Sequence, residues 1–217
     1  MHVKNYYTLP KAERIMVFAP HMDDESVGCG GTLMRYRQIG CQLDIVYLTK
    51  QANDTSLERK SESLQAAEIL AASSITFYDY PEETIQLTET LIDKIYQEVL
   101  FRDPDLIFAP HANDLHQDHI VTGLAVAEAL RRKGTGLVAY YEIWNPIAKP
   151  NCFINITQLV HLKRRLINCY QSQIKKYPLA KLSFSLNSYR AALLQLKKFR
   201  FVEGFLLESV GGCEEIQ

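Results

Sequence analysis

The stretch RIMVFAPHMDDESVGCGG, residues 14–31, decides the fold. It passes from a mostly apolar run, Arg14 to Ala19, through Pro20 into an acidic cluster and then a glycine-rich segment. A short apolar run that stops at a proline predicts a buried strand. The stretch LIFAPHANDLHQDH, residues 106–119, repeats this grammar: an apolar run, Leu106 to Ala109, then Ala-Pro-His, then acidic residues ahead of a helical pattern.

Outward from these two stretches, the apolar runs Leu43–Leu48, Ile75–Tyr80 and Leu137–Ile143 predict three more strands. Helical patterns fall between the strands. They cover Gly31–Gln38, Leu57–Ala72 (with Leu64, Ala67 and Ala71 on one face), the four-residue spacing of Leu87, Leu91, Ile95 and Val99, and Ile120–Arg132. Strands alternating with helices predict an α/β fold, a Rossmann-like three-layer sandwich around a mostly parallel sheet. Beyond about residue 145 the pattern loosens. Phe153–Ile156 reads as a strand, Thr157–Ile174 and Tyr189–Lys198 as helices, and Phe201–Leu207 as a final strand. We read this as a C-terminal elaboration of one continuous domain over residues 1–217.

Bulk properties exclude several classes. The 217 residues are 47% hydrophobic and 23% charged with a formal net charge of −1, so no basic excess points to nucleic acid. No apolar run approaches the roughly 20 residues of a membrane span, and no charged-then-apolar leader opens the chain. Cys29, Cys41, Cys152, Cys169 and Cys213 are odd in number and contain no CxxC pair. That usage suits a reducing, cytoplasmic compartment. Homo-oligomerisation is left open by the sequence.

Both motif stretches follow predicted strands, where sheets of this kind carry their sites. Together they hold four of the six histidines, His21, His111, His116 and His119, beside Asp23, Asp24, Glu25, Asp114 and Asp118. His21 and Asp24 are three residues apart, on one side of a turn that opens a helix. An imidazole with a carboxylate suits zinc or another first-row divalent ion. His119 supplies a third ligand and leaves a position open for water. Asp23 is then a spare carboxylate placed to take that water's proton, and His116 a second spare group whose ring Asp118 is placed to orient. Arg59 is a candidate for a carboxylate or phosphate of the substrate. Tyr141 and Trp144 are candidates to line a sugar pocket. A bland reading stands beside each: acids at a helix start often only cap it. The Gly28-Cys29-Gly30-Gly31 run is not GxGxxG and does not support dinucleotide binding.

The two motifs resemble those of the PIG-L/LmbE-like zinc-dependent de-N-acetylase family, which carries an HPDDE-type motif, often a GCGG run, and a later HxDH. Here they read PHMDDESVGCGG and HQDH, with Met22 where the family usually has proline. Looser matches are Arg59-x-x-Glu62, Tyr141-Glu142 with Trp144 and Asn145, and Phe201-Val202-Glu203-Gly204-Phe205. The resemblance implies a Rossmann-like fold and one zinc ion held by His21, Asp24 and His119. It implies Asp23 as general base, and His116 as oxyanion-stabilising group with Asp118 behind it. The implied reaction removes an N-acetyl group from an N-acetylglucosamine-type sugar or conjugate. The alternative is a metal-dependent amidohydrolase acting on a non-sugar amide with the same site.

Overall fold

The computed structural model describes residues 7–50, 55–195 and 197–211. His2 and Cys213 lie outside them. Five strands run parallel: β1 (Arg14–Ala19), β2 (Gln42–Lys50), β3 (Ser74–Pro81), β4 (Leu106–Pro110) and β5 (Gly136–Tyr141). Two more, β6 (Cys152–Asn155) and β7 (Val202–Val210), complete a seven-stranded sheet in the order β3-β2-β1-β4-β5-β7-β6. β7 pairs antiparallel with both β5 and β6.

Alternation along β1 explains the layers. Ile15, Val17 and Ala19 face one side, while Met16 and Phe18 face the other. The first side is covered by α1 (Asp24–Gly28), α2 (Gly30–Gln38), α3 (Thr55–Leu70), α6 (Val160–Cys169) and α8 (Leu179–Leu194). The second is covered by α4 (Glu89–Arg102) and α5 (Gln117–Lys133) through Leu91, Ile95, Val99, Val121 and Ala125. Because both faces are covered, the central strands are continuous apolar runs. The expected three-layer α/β sandwich with a mostly parallel sheet is the observed one.

The C-terminal third departs from expectation. Thr157–Ile174 is not one helix but a 3₁₀ turn at Thr157–Leu159, α6, and α7 (Gln171–Ile174), interrupted at Tyr170 with ψ 60°. The Tyr170 hydroxyl donates to Glu25 Oε1 at 2.6 Å, which fixes that break. The next helix is α8, ten residues ahead of the expected start at Tyr189. Its buried stripe includes Ser183, Asn187 and Arg190, so apolar periodicity does not reveal it. No helix among the described residues is long and apolar enough to cross a membrane.

The strand order reverses direction between β1 and β4, which are neighbours in the sheet. A crevice opens at such a switch point, outside the carboxyl ends of the strands. Residues 20–24 leave β1 there, and residues 111–116 leave β4 beside them.

Candidate active site

Close packing holds the first loop. A Cβ on Gly28 would collide with the ring of Tyr141, and one on Gly31 would lie 2.7 Å from Ile156 Cγ2. Glycine at these positions lets α1 and α2 sit directly on the sheet and on the loop after β6. Glu203 of β7 accepts from the N–H groups of Gly31 and Thr32 at 2.9 and 2.7 Å, anchoring the start of α2. Lys163 Nζ donates to the same carboxylate at 2.6 Å, and both side chains are fully buried.

Asp24 Oδ2 is the hub of the cluster. It accepts from the His21 backbone N–H at 2.8 Å and lies 3.1 Å from His21 Nδ1 and 3.3 Å from His119 Nε2. The opposite ring nitrogens also meet carboxylates: His21 Nε2 is 3.0 Å from Asp118 Oδ2, and His119 Nδ1 is 3.4 Å from Asp114 Oδ2. Neither nitrogen of the fully buried His119 ring has hydrogen-bond geometry to any partner. Nitrogen atoms of His21, His116 and His119 also come within 4.8 Å of one another.

The donor set fits a divalent cation. The 3.1 and 3.3 Å separations around Asp24 approach the edge, about 3.3 Å, of a tetrahedron with bonds of about 2.0 Å. An imidazole buried without a hydrogen bond is a costly arrangement unless something else takes its lone pair. The electrostatics agree. Burial pushes the His21 ring down, but Asp24 and Asp118 outweigh it and hold the ring up at about 10. Burial likewise opposes charge on His119, and Asp24 and Asp114 raise it to about 9. The surrounding carboxylates thus favour positive charge at this spot, which a bound cation would supply. Burial works to raise Asp24, yet His119 and His21 hold it well below the usual carboxylate range.

Asp23 faces a different partner. Its Oδ1 accepts from Arg59 Nη2 at 3.1 Å, and its backbone takes φ 156° with ψ −20°, a combination rare for L-residues. Burial pushes its carboxyl up to about 6, against the lowering effect of Arg59. Arg59 makes two further bonds, Nε donating to Met22 O at 3.0 Å and Nη1 to Glu82 Oε1 at 2.5 Å, so three of its five N–H groups are engaged while the side chain still lines the cavity. Its guanidinium therefore holds the Asp23 side of the loop.

His116 caps the start of α5, its Nδ1 accepting from the Asp118 N–H at 3.2 Å. Asp118 thus meets His116 through its backbone, and its carboxylate turns to His21 and to the Glu83 N–H at 2.8 Å. Burial lowers the His116 ring's pKa, and the neighbouring His21 and His119 add to that, so the ring is neutral.

His21, Asp23, Asp24, Arg59 and His116 line a cavity of about 500 Å³ together with Trp144, Gln173, Lys176 and Tyr177. Tyr141 does not reach it. That side chain is fully buried, packs on Gly28 and donates its hydroxyl to Phe18 O at 3.1 Å, so the expectation of a substrate contact is corrected to a core residue. His111 lies outside the cluster, its ring edge-on to Tyr140. Glu25 lies behind the site against Ser26 and Tyr170, its carboxyl raised by burial to about 7.

Sequence reasoning gave no role to Asp114. It is 5% exposed; its Oδ1 accepts from the His116 N–H at 3.0 Å and its Oδ2 from the Trp144 N–H at 3.3 Å. Its place five residues before His119 carried no periodic signal. Gln173 and Tyr177 were missed because only tertiary packing brings them to the cavity.

Comparison with known proteins gives the family and the fold. Residues 16–130 match the PIG-L family model, described as GlcNAc-PI de-N-acetylase. The diacetylchitobiose deacetylase of Thermococcus kodakarensis is 24% identical over 74% of this chain and 70% of its own. The N,N'-diacetylchitobiose deacetylase structure from Pyrococcus horikoshii superposes with a TM-score of 0.80 at 21% identity, covering 91% of this chain and 84% of that one. A 4-carboxy-2-hydroxymuconate hydratase from Pseudomonas putida superposes at 0.77 with 19% identity, covering 91% of this chain and 96% of its own. At these identities the superpositions establish the fold, and the fold serves more than one chemistry.

Proposed function

The chain belongs to the PIG-L family, and on that premise we propose that it is a zinc-dependent hydrolase removing the N-acetyl group from an N-acetylglucosamine-type sugar or conjugate. The observation that carries this reading is the convergence of His21 and His119 on Asp24 beside the Arg59-held carboxylate of Asp23, where His21, Asp23 and Asp24 line a cavity.

His21, Asp24 and His119 would hold the ion. His116 is not taken as a ligand because its Nδ1 is engaged by the Asp118 N–H. Bound there, zinc supplies Lewis acidity for the acetamide carbonyl and lowers the pKa of a water to about 7. Asp118 holds the outer nitrogen of His21 and so sets its tautomer, and the Asp114 carboxylate stands 3.4 Å from the outer nitrogen of His119. Asp23 accepts the proton of the attacking water. A carboxyl raised toward neutrality is a stronger base than an ordinary one, and Arg59 keeps it ionised and in place. Because His116 Nδ1 accepts a hydrogen bond, the neutral ring carries its proton on Nε2, where it donates to the developing oxyanion. The proton held by Asp23 then passes to the leaving amine, and acetate and the free amino sugar depart.

Acetate release from N-acetylglucosamine, its conjugates and simple acetamides, each with zinc-loaded and metal-stripped protein, tests the proposal. Turnover of acetamides without turnover of any sugar would replace the sugar reading with the non-sugar amidohydrolase.

A further inference from the structure

Independently of the reaction, we infer that the outer face of α6 and α8 docks on an anionic membrane surface. The formal net charge of −1 conceals a strong asymmetry along the chain. Residues 143–202 hold eleven lysines and arginines and no aspartate or glutamate. All 25 acidic residues therefore lie elsewhere in the sequence, beside only thirteen of the 24 basic ones. Glu142 and Glu203 flank the run, and both are engaged inside the fold: Glu142 pairs with Arg190 and Glu203 with Lys163, all four side chains buried. The other nine cations of the run are exposed, and none forms an ion pair with a described residue.

The helices gather these cations. Arg164 and Arg165 are exposed on α6, Lys175 precedes α8, Lys181 lies in its first turn, and Lys197 and Lys198 follow its end. The 16 residues of α8 span about 24 Å, so basic groups stand at both ends of a long surface helix. Between α6 and α8, a groove is lined by Arg164, Lys181, Ser185 and Ser188. There the Arg164 guanidinium lies over the Phe184 ring, 4.6 Å from its centroid, and its N–H groups find no acceptor among the described residues. A planar guanidinium held in this way suits a phosphate oxygen.

The same helix carries the apolar part of the face. Trp144, Pro146, Pro178, Leu182, Leu186 and Tyr189 line a second groove along α8, and Lys181 and Ser185 border both grooves. Tyr189 and Leu193, four residues apart, are 53% and 54% exposed. Apolar groups flanked by unpaired cations fit a lipid headgroup layer, where the cations meet phosphates and the apolar groups reach the acyl boundary. A nucleic acid would engage the cations and leave the apolar groove uncovered. Exposed acids such as Glu89 and Asp93 lie on α4, which covers the other side of the sheet, so an anionic surface attracts the α6–α8 side and repels the opposite one. Trp144 also lines the cavity of the His–Asp cluster, so docking would hold that cavity beside the bilayer.

Trp144 is the chain's single tryptophan, so its emission reports on this face without turnover. The zinc-loaded protein is mixed with vesicles of phosphatidylcholine alone, or with about a third phosphatidylserine, and binding is read by sedimentation and by Trp144 emission. The anionic vesicles should bind at least about tenfold more tightly, with a blue-shifted emission, and the affinity should fall as salt rises. Arg164→Gln combined with Lys181→Gln should weaken that binding about twentyfold, from about fivefold per charge. Lys94→Gln combined with Arg131→Gln, an equal change of net charge on α4 and α5, should leave it unchanged. Tyr189→Ser should reduce the blue shift. Equal binding to the two kinds of vesicle, or equal losses in the two double variants, would overturn the proposal. A DNA duplex bound as tightly as the anionic vesicles, without the emission shift, would overturn it in favour of a nucleic-acid face. The deacetylation reading fails separately, by absence of acetate release from any soluble amino sugar, and vesicle binding does not depend on it.

Discussion

Asp23 and Asp24 are consecutive carboxylates with separate partners: Asp23 Oδ1 meets Arg59 Nη2 at 3.1 Å, and Asp24 Oδ2 lies 3.3 Å from His119 Nε2. On the proposed reading, one peptide unit divides identical chemistry between a proton acceptor and a ligand. Asp23→Asn should keep its metal and lose at least about 100-fold in kcat, because the amide cannot take a proton. Asp24→Asn should lose metal and recover partly with added zinc. Metal content measured beside activity at several zinc concentrations decides between them. Recovery of Asp23→Asn with zinc would reverse the roles.

The two histidines of the HQDH segment should separate in the same way. His119→Ala should purify without metal. His116→Ala should retain it and lose on the order of 100-fold or more in kcat, as removal of one oxyanion donor does. Loss of metal from His116→Ala would make that residue a ligand.

Arg59 lowers the Asp23 pKa against the effect of burial. Arg59→Gln should therefore raise that pKa and move the acid limb of the kcat/KM–pH profile to higher pH, while metal content is retained. An unmoved limb with a raised KM would make Arg59 a substrate contact instead.

Metal removal should make stability pH-dependent. In the metal-free fold His21 and His119 titrate near 10 and 9, both above the ordinary 6.5. A raised folded-state pKa stabilises fully below the unfolded value, and the contribution is lost as pH rises through the folded one. Metal-free protein should accordingly weaken between about pH 7 and pH 10, and zinc should flatten that slope. Urea midpoints at three pH values, with and without zinc, measure it. Equal slopes would mean the ion does not occupy this cluster.

Gly28→Ala should cost about 1–3 kcal/mol by forcing its new methyl group against the Tyr141 ring. The penalty should shrink in a Tyr141→Leu background, since the two positions are in contact. Denaturant unfolding of the four proteins gives the coupling. Equal penalties in both backgrounds would show that the ring is not the obstacle.

The parts legible in sequence were those whose signal is local. β1, β2 and β4 are buried on both faces along most of their length, so each appears as a largely apolar run, and even the half-buried edge strand β3 keeps its aromatic and β-branched residues. His21 and Asp24 are three residues apart, and both histidine segments sit at strand ends. What could not be read depends on distant partners. The buried side of α8 holds Ser183 against Val27 O, Asn187 against Lys163, and Arg190 against Glu142. Polar residues matched in this way erase the apolar stripe that marks a helix. Tyr141 illustrates the same limit: alternation places it in a strand, but only the fold shows that its side of the sheet meets Gly28 rather than the cavity.

The clamp of Glu203 on Gly31 and Thr32 spans 172 and 171 residues of chain, and its consequence is one of timing. A nascent polypeptide can make β1 and its first histidine segment early, yet the carboxylate that anchors the start of α2 arrives only with β7. β7 is also the strand that joins β6 to β5. Contacts so remote in sequence form late and slow folding. During synthesis, then, the histidines and aspartates of the two segments are made well before the strand that anchors α2, and the assembled cluster is expected to complete late in folding.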